Sequence, residues 1–227
     1  MQTLNANFDL IIFDCDGVLV DSEVISCRVH AEVLTRHGYP ITAEQVRQRF
    51  LGRTSLDATT EVERELGRPL AETYEHERQT TLFAALAEAV EPIPHLHETL
   101  DAIDLRKCVA SSAVHEKIFT SLSRVKLYER FAPHIFSGSQ VRNGKPAPDL
   151  FLLAAGQMKV PPARCLVIED SVAGVTGGGA AGMIVLGFHG GSHCRPDTAD
   201  TLRAAGAAVT FDDMRQLPDL IARIGAD

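Results

Sequence analysis

Residues 8–23 read FDLIIFDCDGVLVDSE. The run Leu10–Phe13 is continuously apolar rather than alternating, and it stops at Asp14, Asp16 and Gly17. An unbroken apolar run of this length suits a strand buried on both faces of a parallel sheet. Two carboxylates two residues apart at the carboxyl end of such a strand are costly unless a metal ion or hydrogen-bond donors compensate them. That end is also where open α/β sheets bind ligands.

The same pattern recurs along the chain. Short apolar runs ending in Ser, Gly or a carboxylate occupy 107–112 (KCVASS), 134–138 (HIFSG), 164–170 (RCLVIED), 182–188 (GMIVLGF) and 207–211 (AAVTF). Helix-like segments at 114–124, 149–156 and 199–205 separate most of them. The alternation predicts an α/β fold with a doubly wound, Rossmann-like parallel sheet. Between residues 21 and 91 the rhythm is helical instead. Val24, Cys27, Ala31 and Leu34 share a face ahead of Gly38, and Thr42 with Gln45 forms a capping-box signature before Val46 and Phe50. Further helices are expected over 55–66, ending at Gly67, and over 71–90, ending before Pro92 and Pro94. A separate helical module spanning 21–91 is therefore expected, inserted into a core made of 1–20 and 92–227.

Alone, an Asp-x-Asp pair is most simply a turn cap beside a solvated side chain. Here the other predicted strand ends carry complementary chemistry. Ser111 and Ser112 end one strand, with hydroxyls and amides suited to phosphate oxygens. Lys145 stands in Asn143-Gly144-Lys145-Pro146-Ala147-Pro148-Asp149, where prolines stiffen a loop around a cation, and Glu169 and Asp170 end another strand just before Ser171. Carboxylates, a lysine and hydroxyls at separate strand ends together describe a Mg²⁺ and phosphate site.

These residues resemble the haloacid dehalogenase-like hydrolases, in the branch with a helical cap after the first motif. DxDGVLVDSE, a strand ending in Ser, the KPAPD lysine loop and a terminal EDS follow the family's four motifs in order, over essentially the whole chain. The resemblance implies that Asp14 is the nucleophile that becomes an aspartyl-phosphate, while Asp16 protonates the leaving alcohol and then activates water. It implies Mg²⁺ held by Asp14, the backbone carbonyl of Asp16 and Asp170, with Glu169 contributing directly or through water. Ser111, with Ser112 beside it, and Lys145 would hold the phosphoryl oxygens. It also implies a cap motion hinged near 20–22 and 88–94.

Within that branch, phosphatases and β-phosphoglucomutase share the core motifs. The mutase uses a histidine on the first cap helix and an arginine on the cap loop, and the matching positions here hold Ser26 and Ser55, with His30 and Arg53 nearby. A phosphatase is expected, with the mutase as the alternative. The opening stretch also looks like bacterial phosphatases acting on sugar or sugar-acid phosphates such as 6-phosphogluconate. Arg53 is the candidate substrate contact. A phospho-receiver domain is a more remote alternative, since such domains carry their acidic pair ahead of the phosphorylated aspartate and lack a helical insert of this size.

The composition agrees with a small-molecule enzyme. A net charge of −8 on 227 residues argues against nucleic acid and anionic membranes, and the five cysteines, with no CxxC pair, suit a reducing cytoplasm. No run approaches a membrane span, and a monomer or small homo-oligomer is expected. The glycines of Gly177–Gly182 begin too far past their strand for a dinucleotide loop and are expected inside a helix, packed closely on the sheet. His189, His193 and Cys194 fit no common zinc spacing and read as a plain loop. His95 and His97 read as exposed. Cys15, between two carboxylates, is a poor nucleophile. Asp14, Asp16, Glu169 and Asp170 against Lys145 concentrate a net −3 of the −8 at one place. A phosphate dianion needs a cation there.

Overall fold

The computed structural model describes residues 8–50, 52 and 55–226. They form two compact units, one from residues up to Asp21 together with Glu91 onward, the other Ser22–Val90.

The first unit is built on six parallel strands in the order β3-β2-β1-β4-β5-β6. The strands are β1 (Leu10–Phe13), β2 (Arg106–Ser111), β3 (Ile135–Ser137), β4 (Cys165–Glu169), β5 (Ile184–Phe188) and β6 (Val209–Phe211). The apolar run that opened the reading is therefore the middle of the sheet. All four side chains of β1 are fully removed from solvent, each worth about 1.5–3 kcal/mol relative to exposure. Leu10 and Ile12 pack with Phe151, Ala154 and Val175 on the face covered by α8 (Asp149–Met158) and α9 (Val172–Ala180). By the two-residue period of a strand, Ile11 and Phe13 point the other way. There Phe13 meets the edge of Phe131 at 6.0 Å between ring centroids. The connections run through α5 (Leu96–Ala102), α6 (His115–Arg124), α7 (Tyr128–Phe131), α8, α9 and α10 (Thr198–Ala204), and α11 (Leu217–Ala226) follows β6. Strand order reverses between β1 and β4, so their carboxyl ends flank the crevice where such sheets take ligands.

The second unit packs α1 (Glu23–Arg36) against α2 (Ala43–Phe50) and α4 (Tyr74–Ala89), with α3 (Ser55–Leu66) between α2 and α4 in sequence. The Thr42 capping box is present: Thr42 Oγ1 accepts from the Gln45 amide at 3.2 Å, and Gln45 Oε1 accepts from the Thr42 amide at 2.9 Å. One expectation fails. Of the predicted face Cys27, Ala31 and Leu34 are buried but Val24 is 46% exposed, and α1 buries a second stripe, Val29–Val33. A helix buried on two sides has no single period to read. The last helix of this unit also starts at Tyr74 rather than residue 71, because the Tyr74 amide closes a turn onto the Ala71 carbonyl.

Gly177, Gly178 and Gly179 lie in α9 as their spacing implied, whereas Gly182, at φ +76, follows the end of the helix at Ala180. A Cβ on Gly178 would stand 2.7 Å from a Val185 methyl, and one on Gly177 would stand 3.1 Å from the Ala147 carbonyl. Bare glycines let α9 settle on β5 and on the loop that carries Lys145, which offsets their cost of about 1 kcal/mol each as helix residues. Among the described residues no helix is long and apolar enough to cross a membrane.

Candidate active site

Asp14 follows directly on β1, its amide donating to the Ile168 carbonyl at 3.0 Å. The register Phe13↔Ile168 on one side and Phe13↔Val109 on the other places it between the ends of β4 and β2. It is 7% exposed. Burial pushes its carboxyl well above the ordinary value; the charges of Glu169, Asp170 and Asp16 push the same way, and only Lys145 opposes them.

Lys145 reaches Asp14 from the proline-stiffened loop. Its three ammonium hydrogens find three acceptors: Asp14 Oδ1 at 2.5 Å, Glu169 Oε1 at 2.5 Å and the Ala110 carbonyl at 2.9 Å. The ammonium also sits 5.0 Å from the centre of the Phe151 ring. Burial alone would lower its pKa, but the two carboxylates outweigh that and hold it above the ordinary value, so the lysine is a cation.

Glu169 is fully buried. One oxygen takes Lys145; the other accepts from the Asp170 amide, the Ser171 amide and the Ser171 hydroxyl at 3.0–3.2 Å. Ser171 in turn caps α9 by accepting from the Gly174 amide at 3.0 Å. This packing demands glycine at 174, where a Cβ would fall 1.8 Å from the Glu169 carboxyl carbon. Gly174→Ala is expected to destabilise the protein by about 1–3 kcal/mol through overpacking and to lower turnover by pushing Glu169 off Lys145. Urea unfolding and steady-state rates check both.

The loop after Asp14 is a single tight turn, with the Leu19 and Val20 amides donating to the Cys15 carbonyl and the Gly17 amide to Val20. Gly17 has φ +80, and a Cβ there would meet Asp170 Oδ2 at 1.9 Å, so the turn geometry and the approach of Asp170 both require glycine. Asp16 pairs with Lys117 at 2.8 Å. Ser111 is buried at the end of β2, its Oγ accepting from the Ala113 amide at 3.1 Å, while Ser112 is exposed.

Asp14, Asp16, Lys145, Glu169 and Asp170 thus come together at one edge of the sheet. Two further groups join them that the motifs did not announce, Lys117 and His193. The loop read as plain delivers His193 to Asp170, Nε2 to Oδ2 at 3.0 Å, with the imidazole 7% exposed as a residue. Burial would lower the imidazole pKa, yet the Asp170 contact outweighs it and raises the value to about 11. Burial likewise raises the Asp170 carboxyl, against the pull of His193. Zinc spacing was the wrong signal for this loop. The useful one was topological, since β5 lies beside β4 and its carboxyl end must open next to Asp170.

In the helical unit, Arg53 lies outside the described residues. Ser26 donates to the Ser22 carbonyl at 3.0 Å, and Ser55 accepts from Arg78 at 3.3 Å. His30 lies 5.8 Å from Phe50 between ring centroids, and burial, aided by Arg78, lowers its pKa to about 4. His95 and His97 are exposed, and all five cysteines are free. Burial pushes the Cys15 thiol up, and Asp16 and Asp14 add to the shift.

The model of the family described as haloacid dehalogenase-like hydrolase matches residues 8–182. A 6-phosphogluconate phosphatase of Escherichia coli is 32% identical over 98% of both chains. Among solved structures, a haloacid dehalogenase-like protein of unknown function from Agrobacterium tumefaciens is 41% identical, with TM-score 0.87 over 97% of this chain and 100% of that one. A hydrolase of the same family from Deinococcus radiodurans, with bound phosphate and sodium, is 32% identical with TM-score 0.80 over 97% of each chain. The order of its motifs, the sheet that gathers them and the family match over most of its length agree: the chain belongs to the haloacid dehalogenase-like hydrolases.

Proposed function

We propose that this enzyme, a phosphoric monoester hydrolase, acts on a small sugar or sugar-acid phosphate, uses Mg²⁺ and passes through a phosphorylated Asp14. The observation that carries this reading is the buried Asp14 with one oxygen held by Lys145 and three more carboxylates around it. The arrangement is short of positive charge, and its donors are hard oxygens. Two carboxylates, Asp14 and Asp170, with the Asp16 carbonyl make the partial ligand set that Mg²⁺ takes when substrate phosphate and water complete it. Bound there, the ion would neutralise phosphoryl oxygens and hold them near Asp14. Of the two roles left open to Glu169, its bonding favours the indirect one, since both its oxygens already serve Lys145 and the turn before α9.

The chain's own groups then divide the work. Asp14 attacks phosphorus and the ester oxygen leaves, taking a proton from Asp16; Asp16 next removes a proton from the water that hydrolyses the acyl phosphate. Lys117 orients the Asp16 carboxyl. Ser111 and Lys145 bind phosphoryl oxygens as their charge grows. Ser112, being exposed, has the weaker claim to that role. The Ser22–Val90 unit is read as a cap that opens and closes, with Arg53 meeting the substrate.

Hydrolysis is favoured over the phosphosugar mutase because Ser26 and Ser55 replace the mutase groups and are bonded within the helical unit, while His30 is neutral. Similarity to the 6-phosphogluconate phosphatase supports a sugar-acid substrate. The free thiols and acidic charge suit a cytoplasmic protein with a small-molecule partner, monomeric or a small homo-oligomer. A panel of phosphorylated sugars and sugar acids assayed with Mg²⁺, scored for free phosphate and for isomerised product, tests the reading. Phosphate release without isomer is the expected result; isomer without phosphate would make the enzyme a mutase.

A further inference from the structure

The loop after β5 holds two parts of the core unit at once. Ser192 donates from its amide and its hydroxyl to Asp21 Oδ1, at 3.3 and 2.8 Å. The next residue, His193, lies on Asp170 Oδ2 at 3.0 Å, and the Cys194 thiol stands 3.5 Å from the same ring nitrogen. The ring is fitted closely on both sides. A Cβ on Gly191 would lie 2.8 Å from Cε1 and from Nδ1, and one on Gly17 would lie 2.8 Å from Cε1. Both side chains of the His193–Asp170 contact are withdrawn from solvent, and a charge-assisted hydrogen bond between them is directional, so it orients the carboxylate in a way that space-filling alone would not.

We propose that His193 is a positioning residue for metal binding: its Nε2–H holds Asp170 Oδ2, fixes the carboxylate between the ring and Gly17, and keeps the other oxygen, outside that bond, available as ligand. The inference rests on the reading of Asp170 as a Mg²⁺ ligand. Its logic is that of an outer-shell partner, which orients a ligand without touching the ion, and loss of such a partner costs about 10- to 100-fold in metal affinity.

Two amides separate this role from packing. Glutamine carries its NH₂ at the distance of imidazole Nε2 from the backbone, whereas asparagine reaches only as far as Nδ1. Mn²⁺ titrated into the metal-free proteins, with free ion read by electron paramagnetic resonance, gives Kd independently of turnover. His193→Asn is expected to raise Kd about 10- to 100-fold, and His193→Gln to stay within about threefold of the parent. Ser192→Ala, which loosens the latch to Asp21 and spares His193, should leave Kd unchanged. Parental affinity in His193→Asn, equal weakening in the Asn and Gln variants, or the same weakening in Ser192→Ala would overturn the proposal. Asp170→Asn is expected to lose Mn²⁺ altogether; if it keeps the parent's affinity, the metal assignment itself fails, an outcome distinct from failure of His193 alone.

Discussion

Asp14→Asn is expected to lower turnover by about 10⁴- to 10⁶-fold, the scale seen when a covalent nucleophile is removed, while leaving the metal-free protein at least as stable as the parent. Both halves follow from the same environment. An amide keeps the shape of the carboxyl and can still accept from Lys145 through its carbonyl, but it cannot attack phosphorus. Meanwhile burial and the neighbouring carboxylates hold the Asp14 carboxyl well above its unfolded value of 3.8. The folded chain therefore binds more protons than the unfolded chain at this position, and its stability falls as pH rises from about 4 through the raised pKa. Asparagine has no proton to lose, so the variant's advantage should grow with pH across that window. Thermal unfolding without metal at several pH values, beside phosphate-release rates with Mg²⁺, checks the pair. Near-parental turnover would end the nucleophile assignment.

The strands were legible as continuous apolar runs, because burial on both faces leaves no other place for such runs, and Asp14, Ser111, Glu169 and Asp170 were legible because each stands where one of these runs ends. Asp14, Lys145 and Asp170 could be placed at one edge before the strand order was known, since every parallel strand presents its carboxyl end there. Lys117 and His193 were not legible. Lys117 lies in the first turn of α6, and only the path from β2 brings that turn to Asp16. His193 needed β5 to be the neighbour of β4, which no local pattern states. Gly174 is a similar case: glycine inside a helix reads as a small cost until the Glu169 carboxyl is seen where its Cβ would be. The Val24 error has the converse cause, a periodic stripe extended one turn beyond the buried surface.

Lys145→Met is expected to be severe in both function and stability, unlike Asp14→Asn. Methionine preserves much of the apolar stem against Phe151 but removes the single ammonium that Asp14, Glu169 and the Ala110 carbonyl share. Taking one partner from a buried ion pair typically costs about 3–5 kcal/mol, because the remaining charge is left uncompensated. Turnover should fall by about 10²- to 10³-fold or more, the cost of losing one donor at a developing oxyanion. The pH dependence has a definite sign. Lys145 is the group that holds the Asp14 carboxyl down, so without it Asp14 moves still higher, the folded state takes up more protons than the unfolded one, and the loss of stability as pH rises above about 4 extends to higher pH than in the parent. Lys145→Arg should not rescue activity, because a planar guanidinium cannot direct three hydrogens at acceptors that surround a single nitrogen. Urea unfolding at pH 6 and pH 8 decides the point: a Met variant as stable as the parent at both values would mean that the carboxylates do not depend on this lysine, and the charge argument for the site would fall with it.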